Sequence, residues 1–343
     1  MRKTDQARNA SNDTPLTKVR GRLLGLRSFA DAAYSPGQKT RIEPSGATTP
    51  MSSLSRPPVR GRQIADADIR NLAELLGKGF PKKSREYWSQ AFDRLAKHST
   101  PVGRPKYGYL IESEGAPVGV ILLISSTIQQ GDTFAMRCNL STWYVHPNFR
   151  FYAPLLISQA TAEKGITYLN ITPAEHTRPI LEVQGFSRYS QGRFVACLSR
   201  SPKAPTVADV VGSDVCPGAY FEPFERDLLL AHARYGCVSV WCTTSERAYP
   251  FVFLRRFVKR IVPCVQLIYC RHIDDLIRFA RPIGRYLGLH GYPLVVIDSE
   301  GPIRGLVGKY VDGIAPKYFR GPTSPRLGDL AYTEAAILPG LYV

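Results

Sequence analysis

The run Val145-His146-Pro147-Asn148-Phe149-Arg150-Phe151-Tyr152-Ala153-Pro154-Leu155-Leu156 holds the residue types of this chain best suited to binding chemistry. An apolar helix is expected over 154–164, because Pro154 suits a first helical turn, where an amide is expendable. Unpaired backbone N–H groups and the dipole make such a helix start favourable for an anion. Arg150, just ahead of it, adds charge and a bidentate fork. His146, beside Pro147 at a strand end, has the chemistry of a base or a phosphate contact, and equally of a plain strand cap. Spacing supports little else. No Ser-His-Asp or Cys-His arrangement can be assembled. The seven cysteines (138, 197, 216, 237, 242, 264 and 270) show no CxxC or CxH spacing. They read as buried thiols in reducing surroundings, with no metal and no disulfide framework. The glycines of 301–308 are too irregular for a nucleotide loop.

Regular elements must position that run. Ile69, Leu72, Ala73, Leu75 and Leu76 fall on one helical face, with Asp66 or Asp68 as cap. A second helix after Pro81 spaces Tyr87, Trp88, Phe92 and Leu95. Strands are expected over 107–112 and 117–125, joined by a four-residue Ser-Glu-Gly-Ala turn, and over 136–145, where Cys138, Leu140, Thr142 and Tyr144 alternate with Arg137, Asn139, Ser141 and Trp143. After the helix at 154–164 come a strand over 166–171, a helix over 177–183, the turn Gln184-Gly185-Phe186 and a strand over 193–198.

This order, over about residues 63–200, resembles the GNAT superfamily of acyl-CoA-dependent N-acyltransferases, as does the motif Val145-x-Pro147-x-x-Arg150 ahead of an apolar helix. A second mark is Gly185-Phe186 closing the last short helix, with Gly185 as a left-handed C-cap. The resemblance implies a mixed α/β sheet, mostly antiparallel with one parallel crossover, and flanking helices. It implies acetyl-CoA or another acyl-CoA as co-substrate, bound through Tyr144, Val145, Arg150, Phe151, Tyr152, Ala153 and Leu155. The chain departs from the family where Phe151, Ala153 and Leu155 replace glycines, and where Leu181 replaces the tyrosine that often serves as general acid. Tyr168 and Tyr189 are the replacements at hand. The base, in such a fold, is sought at Glu112 or Glu114, at His146, or at His176 on the acceptor side after the crossover strand.

Residues 201–223 read as a linker, and 224–343 repeat the plan more loosely. A helix over 228–235 is followed by strands over 237–243, 251–257 and 264–269, a helix over 274–287, a buried strand over 292–298 and a last strand over 329–338. This half resembles a second, degenerate GNAT-like module. Its position equivalent to the anion loop, Cys270-Arg271-His272-Ile273-Asp274-Asp275, carries two carboxylates that satisfy a helix dipole themselves and repel a pyrophosphate.

Hydrophobic residues make up 44% and charged residues 21%, which suits globular domains. No apolar run reaches the length of a membrane span, and the first thirty residues lack the apolar core of a secretory signal, so a cytoplasmic protein is expected. Residues 1–62 hold 12 Lys and Arg against 4 Asp and Glu, a net +8 of the total +17. With their Ser, Pro and Gly content they read as a disordered basic tail, in which Leu23–Phe29 is a local apolar cluster and Met51 an alternative start. The basic balance suits CoA, nucleic acid or anionic lipid alike. The expected function is acyl transfer from acyl-CoA to an amine or hydroxyl of a small molecule or saccharide, by direct attack in a ternary complex. The alternatives are a tRNA-dependent aminoacyl transferase and a non-catalytic acyl-CoA-binding regulator.

Overall fold

Two seven-stranded mixed sheets account for the strand signals of the sequence. A computed structural model describes residues 58–130, 133–203, 207–258, 261–338 and 340. The expected tail therefore lies outside the described residues up to 57, including the cluster at 23–29 and Met51. Its last residues do not behave as a tail: β1 (Val59–Gln63) pairs antiparallel with β2 (Gly108–Ser113). Arg62 supplies the reason. Its guanidinium binds Asp68 at 2.6 and 2.8 Å and Glu112 at 2.8 and 2.9 Å, fastening β1 to both the helix entry and β2.

Helices α1 (Ile69–Gly79) and α2 (Arg85–Lys97) form where apolar residues recur at helical spacing. Leu72, Leu75 and Leu76 of α1 and Trp88, Phe92 and Leu95 of α2 are buried in one core against the first sheet. Ser84 caps α2 by accepting the Tyr87 N–H at 3.2 Å. Then come β3 (Ala116–Gln130), β4 (Thr133–Val145), α3 (Ala153–Ala160), β5 (Thr167–Asn170), α4 (Arg178–Val183) and β6 (Ser187–Ser190). The β2–β3 turn is tighter than the four residues expected. Glu114 and Gly115 alone span it, both at positive φ (53° and 77°), as a two-residue hairpin requires. Gly185 (φ 82°) ends α4, and the Phe186 N–H reaches back to Leu181 O at 3.0 Å. Phe186 is buried with Leu156, Ile157 and Leu181 on the sheet face opposite α1 and α2.

The second half contains β7 (Gly192–Ala196), β8 (Asp209–Gly212), α5 (Pro223–Arg234), β9 (Val238–Thr243), β10 (Ala248–Val258), β11 (Val262–Cys270), α6 (Ile273–Arg278), α7 (Ala280–Leu289), β12 (Leu294–Ser299), β13 (Gly308–Val311), β14 (Lys317–Arg320) and α8 (Glu334–Ile337). Strand order is β1-β2-β3-β4-β5-β14-β6 in the first sheet and β13-β7-β12-β11-β10-β9-β8 in the second. Each sheet has one parallel pair, β4 with β5 and β11 with β12, linked through α3 and through α6–α7 respectively. Both are GNAT-like modules, and they exchange strands. β7, next in sequence to β6, lies between β12 and β13, while β14 from the far end of the chain lies between β5 and β6. Each exchanged strand is hydrogen-bonded on both sides, so neither sheet is complete without the other half.

Three expectations change. The segment read as a linker holds β8, which pairs with β9 at the sheet edge. The helix over 274–287 breaks at Phe279, whose ring is buried among Leu276, Ile283 and Leu287. The last strand over 329–338 is not one. The chain runs beside β11 at 328–330, turns at Tyr332 (φ 53°), and enters α8. This segment packs into a core shared by both sheets, with Leu169, Ile171 and Tyr189 from one side and Leu229, Trp241 and Ile268 from the other.

Candidate active site

β4 and β5 pair only at Arg137↔Thr167, Cys138↔Tyr168 and Asn139↔Leu169, yet β4 continues to Val145. Beyond Asn139 the two strands part. At that point β4 bulges: its register with β3 jumps from Ile121↔Trp143 to Leu123↔Leu140, so Ser141 and Thr142 together oppose Leu122. A bulge redirects side chains. Here Ser141 Oγ donates to the Glu334 carboxylate, and Thr172 Oγ1, just past β5, donates to its other oxygen. The Glu334 N–H donates to Asn139 Oδ1 at 2.8 Å, and Asn139 Nδ2 donates to Leu169 O at 3.3 Å. A buried carboxylate on α8 thus sits at the fork of the strands, held by hydroxyls from both of its arms.

The 147–152 segment, expected as an open anion loop, is a 3-10 helix that runs into α3. Some of its amides are spent within the turn: the Phe149 N–H donates to His146 O at 2.8 Å, and the Ala153 N–H to Arg150 O. His146 Nδ1 accepts the Asn148 N–H at 3.4 Å, the capping role. The Arg150 side chain is exposed and makes no hydrogen bond or ion pair among the described residues. Phe151 is 50% exposed, its ring 4.1 Å from that of Tyr152, and Leu155 is exposed one turn further on. The other expected contacts pack inward. Val145 is buried beside Leu156, and Tyr152 and Ala153 lean on the same core. The ring of Tyr144 fills the space over Gly79, where a Cβ would lie 2.6 Å from it.

The expected acid–base residues are not brought together. Glu112 is committed to Arg62, Glu114 is exposed at the hairpin tip, and His176 is exposed on a short 3-10 turn after β5. No hydrogen bond or ion pair joins Glu112, His146 and His176 to one another. Leu181, at the position where a tyrosine was sought, is fully buried. Tyr168 donates to Glu163 O at 3.2 Å, on the paired side of the fork, and Tyr189 is enclosed in the core shared by the sheets. Burial pushes both phenols up. The residues that do meet are Asn139, Ser141, Thr172 and Glu334; the alternation along 136–145 puts Asn139 and Ser141 on the polar face of their strand and gave no signal, whereas the structure buries both faces.

The second module has the same divergence. β11 and β12 pair only from Cys264↔Leu294 to Gln266↔Val296. Past that point, residues 328–330 take the place of β12: the Cys270 N–H donates to Gly328 O at 2.9 Å and the Leu330 N–H to Ile268 O at 2.7 Å. At the start of α6, Asp275 accepts the His272 N–H at 3.2 Å, and Glu225 chelates Arg271 at 2.6 and 2.8 Å. Asp329 is tied to Arg137 at 3.1 Å and Arg326 at 3.4 Å; burial pushes its carboxyl up, but the two guanidinium groups hold it below the usual range. His232 Nδ1–H donates to Leu228 O at 2.8 Å while Nε2 accepts the Tyr332 N–H at 3.0 Å, pinning the segment between the two openings.

Among the described residues no helix is long and apolar enough to cross a membrane, and no group of His, Cys, Asp or Glu is placed to hold a metal ion. No protein-family model and no curated protein matches the sequence. Solved structures do match. A GCN5-related N-acetyltransferase from Anabaena variabilis is 10% identical, covering 77% of this chain and 72% of its own, with a TM-score of 0.50. One from Kribbella flavida is 12% identical over 78% and 72%, also at 0.50. A probable N-acyltransferase from Enterococcus faecalis is 10% identical over 80% and 73%, at the same score. The likeness is one of fold: the chain has the GNAT fold, in two modules.

Proposed function

We propose that the chain is an acyltransferase that takes its acyl group from acyl-CoA at the opening between β4 and β5. The observation that carries this reading is Arg150, exposed and without a partner, at the start of the helix that follows the diverging strand. Buried or chelated arginines elsewhere are spent on structure. This one keeps its fork for an anion such as the pyrophosphate. Phe151 and Leu155 offer exposed apolar surface beside it for the uncharged parts of the same ligand. The donor brings the activated thioester. Glu334 deepens the reading: an acceptor amine attacking the thioester carbonyl gives its proton to Ser141 Oγ, whose own proton passes to the Glu334 carboxylate, while the C–S bond breaks and the thiolate leaves. His176 lies exposed after β5, where an acceptor would approach.

A second reading, acyl-CoA binding without transfer, draws support from buried Leu181 and from the engagement of Glu112 and His146 in structural contacts. Thiol release from acetyl-CoA, followed with a panel of small amines and amino sugars, separates the two. On the transfer reading, Glu334→Gln lowers turnover by about a hundredfold or more with CoA affinity unchanged. Tight binding with no release on any acceptor favours the second.

A further inference from the structure

A cavity of about 470 Å³ opens between the modules, away from the β4–β5 fork. It is lined by the starts of β4 and β5, the starts of α5 and α6, and residues 323–329, and its size falls within the range of small-molecule sites, ~300–1,000 Å³. Ile128, Met136, Phe224 and Tyr269 give it apolar walls.

Four guanidinium groups face or flank it, those of Arg137, Arg247, Arg271 and Arg326, against three carboxylates, Glu222, Glu225 and Asp329. The balance is one positive charge, before any contribution from His272. The cations are unequally used. Arg271 is chelated by Glu225, and Arg137 and Arg326 share Asp329. Arg326 also donates to Cys270 O and Arg271 O. Arg247 is the least committed: its ion pair with Glu222 is long, 3.7 Å, that carboxylate also accepts the Tyr220 hydroxyl at 2.8 Å, and its guanidinium otherwise lies 5.5 Å from the centre of the Tyr220 ring. Planar guanidinium groups bind carboxylates in pairs of parallel hydrogen bonds, and one surplus charge matches a monoanion better than a dianion set among three carboxylates.

We propose that this cavity binds a small organic monocarboxylate with an apolar body, its carboxylate on Arg247 and its body against Phe224, Tyr269 and Met136. The proposal is independent of the acyl-CoA reading, since it uses no residue of the β4–β5 fork.

Calorimetric titration of the full chain with benzoate, phenyl phosphate and benzylamine tests it. Benzoate binds, phenyl phosphate binds more weakly, and benzylamine gives no heat. In Arg247→Gln the benzoate affinity falls on the order of tenfold or more. The unliganded melting temperature of that variant stays within a degree or two of wild type, because the lost ion pair is long and solvent-exposed. No benzoate binding at millimolar concentration overturns the proposal. So does benzoate binding that survives Arg247→Gln but is lost in Arg150→Ala, which would put the anion at α3.

Discussion

The two strand openings have the same origin and different contents. In each module a parallel pair stops early and its first strand runs on alone. In the second, the chain's own residues 328–330 supply the missing hydrogen bonds of β11, and the arginine at the following helix start is bound face to face by a buried glutamate. In the first, the fork is bridged through Glu334, whose carboxylate takes a hydroxyl from each arm, and the arginine at the helix start points into solvent. The same backbone geometry therefore yields a sealed joint in one half and an available edge in the other. What differs is how residues 328–334 meet each opening, with main-chain donors and acceptors at β11 and with the Glu334 carboxylate at β4.

The two openings differ most at their arginines. Arg271→Ala leaves the Glu225 carboxylate, which is fully buried, without its partner, and should cost about 3–5 kcal/mol in urea unfolding. An unchanged midpoint would mean that this pair is not what closes the second site.

Acid acts on both openings at once, because the segment joining them is held by a histidine in its neutral form. Burial lowers His232 from 6.5 to about 4, and both ring nitrogens are already matched to a carbonyl and an N–H. The unfolded chain binds the proton first, so stability is full above pH 6.5 and falls between there and pH 4, by about 3 kcal/mol for this group. Burial lowers His98 as well, in the same direction. In His232→Gln the unfolding free energy should fall less over that window. An identical pH profile would contradict the assignment.

The smallest effect is expected at the open edge. Phe151→Ser removes an exposed ring and should shift folding stability by no more than about 0.5 kcal/mol. A loss of several kcal/mol would show that the ring is part of the core and not a ligand surface.

Much of this was legible in the sequence. The helical spacing of α1 and α2, the crossover through α3 and the Gly185-Phe186 cap are local patterns, and they lie where periodicity and capping put them. Strand exchange was not legible, because alternation marks β7 and β14 as strands without naming their neighbours. The fork residues were hidden for a related reason. Glu334 lies nearly 200 positions from Ser141, in a stretch whose apolar run reads as a strand, and only the turn at Tyr332 carries it to β4. Arg137 shows the same blindness. Alternation leaves it on the outward face of a strand, whereas the second half covers that face and leaves it 2% exposed.

Whether the first opening holds acyl-CoA and the second does not is decided by calorimetric titration of CoA into the wild type, Arg150→Ala and Arg285→Ala, the last at an exposed arginine on α7. A charge-assisted contact contributes about 1.5–3 kcal/mol, so Arg150→Ala should weaken CoA binding on the order of ten- to a hundredfold. Arg285→Ala should match the wild type, and all three proteins should melt together. Equal CoA affinity in wild type and Arg150→Ala would contradict the account, leaving the fold intact and the site elsewhere.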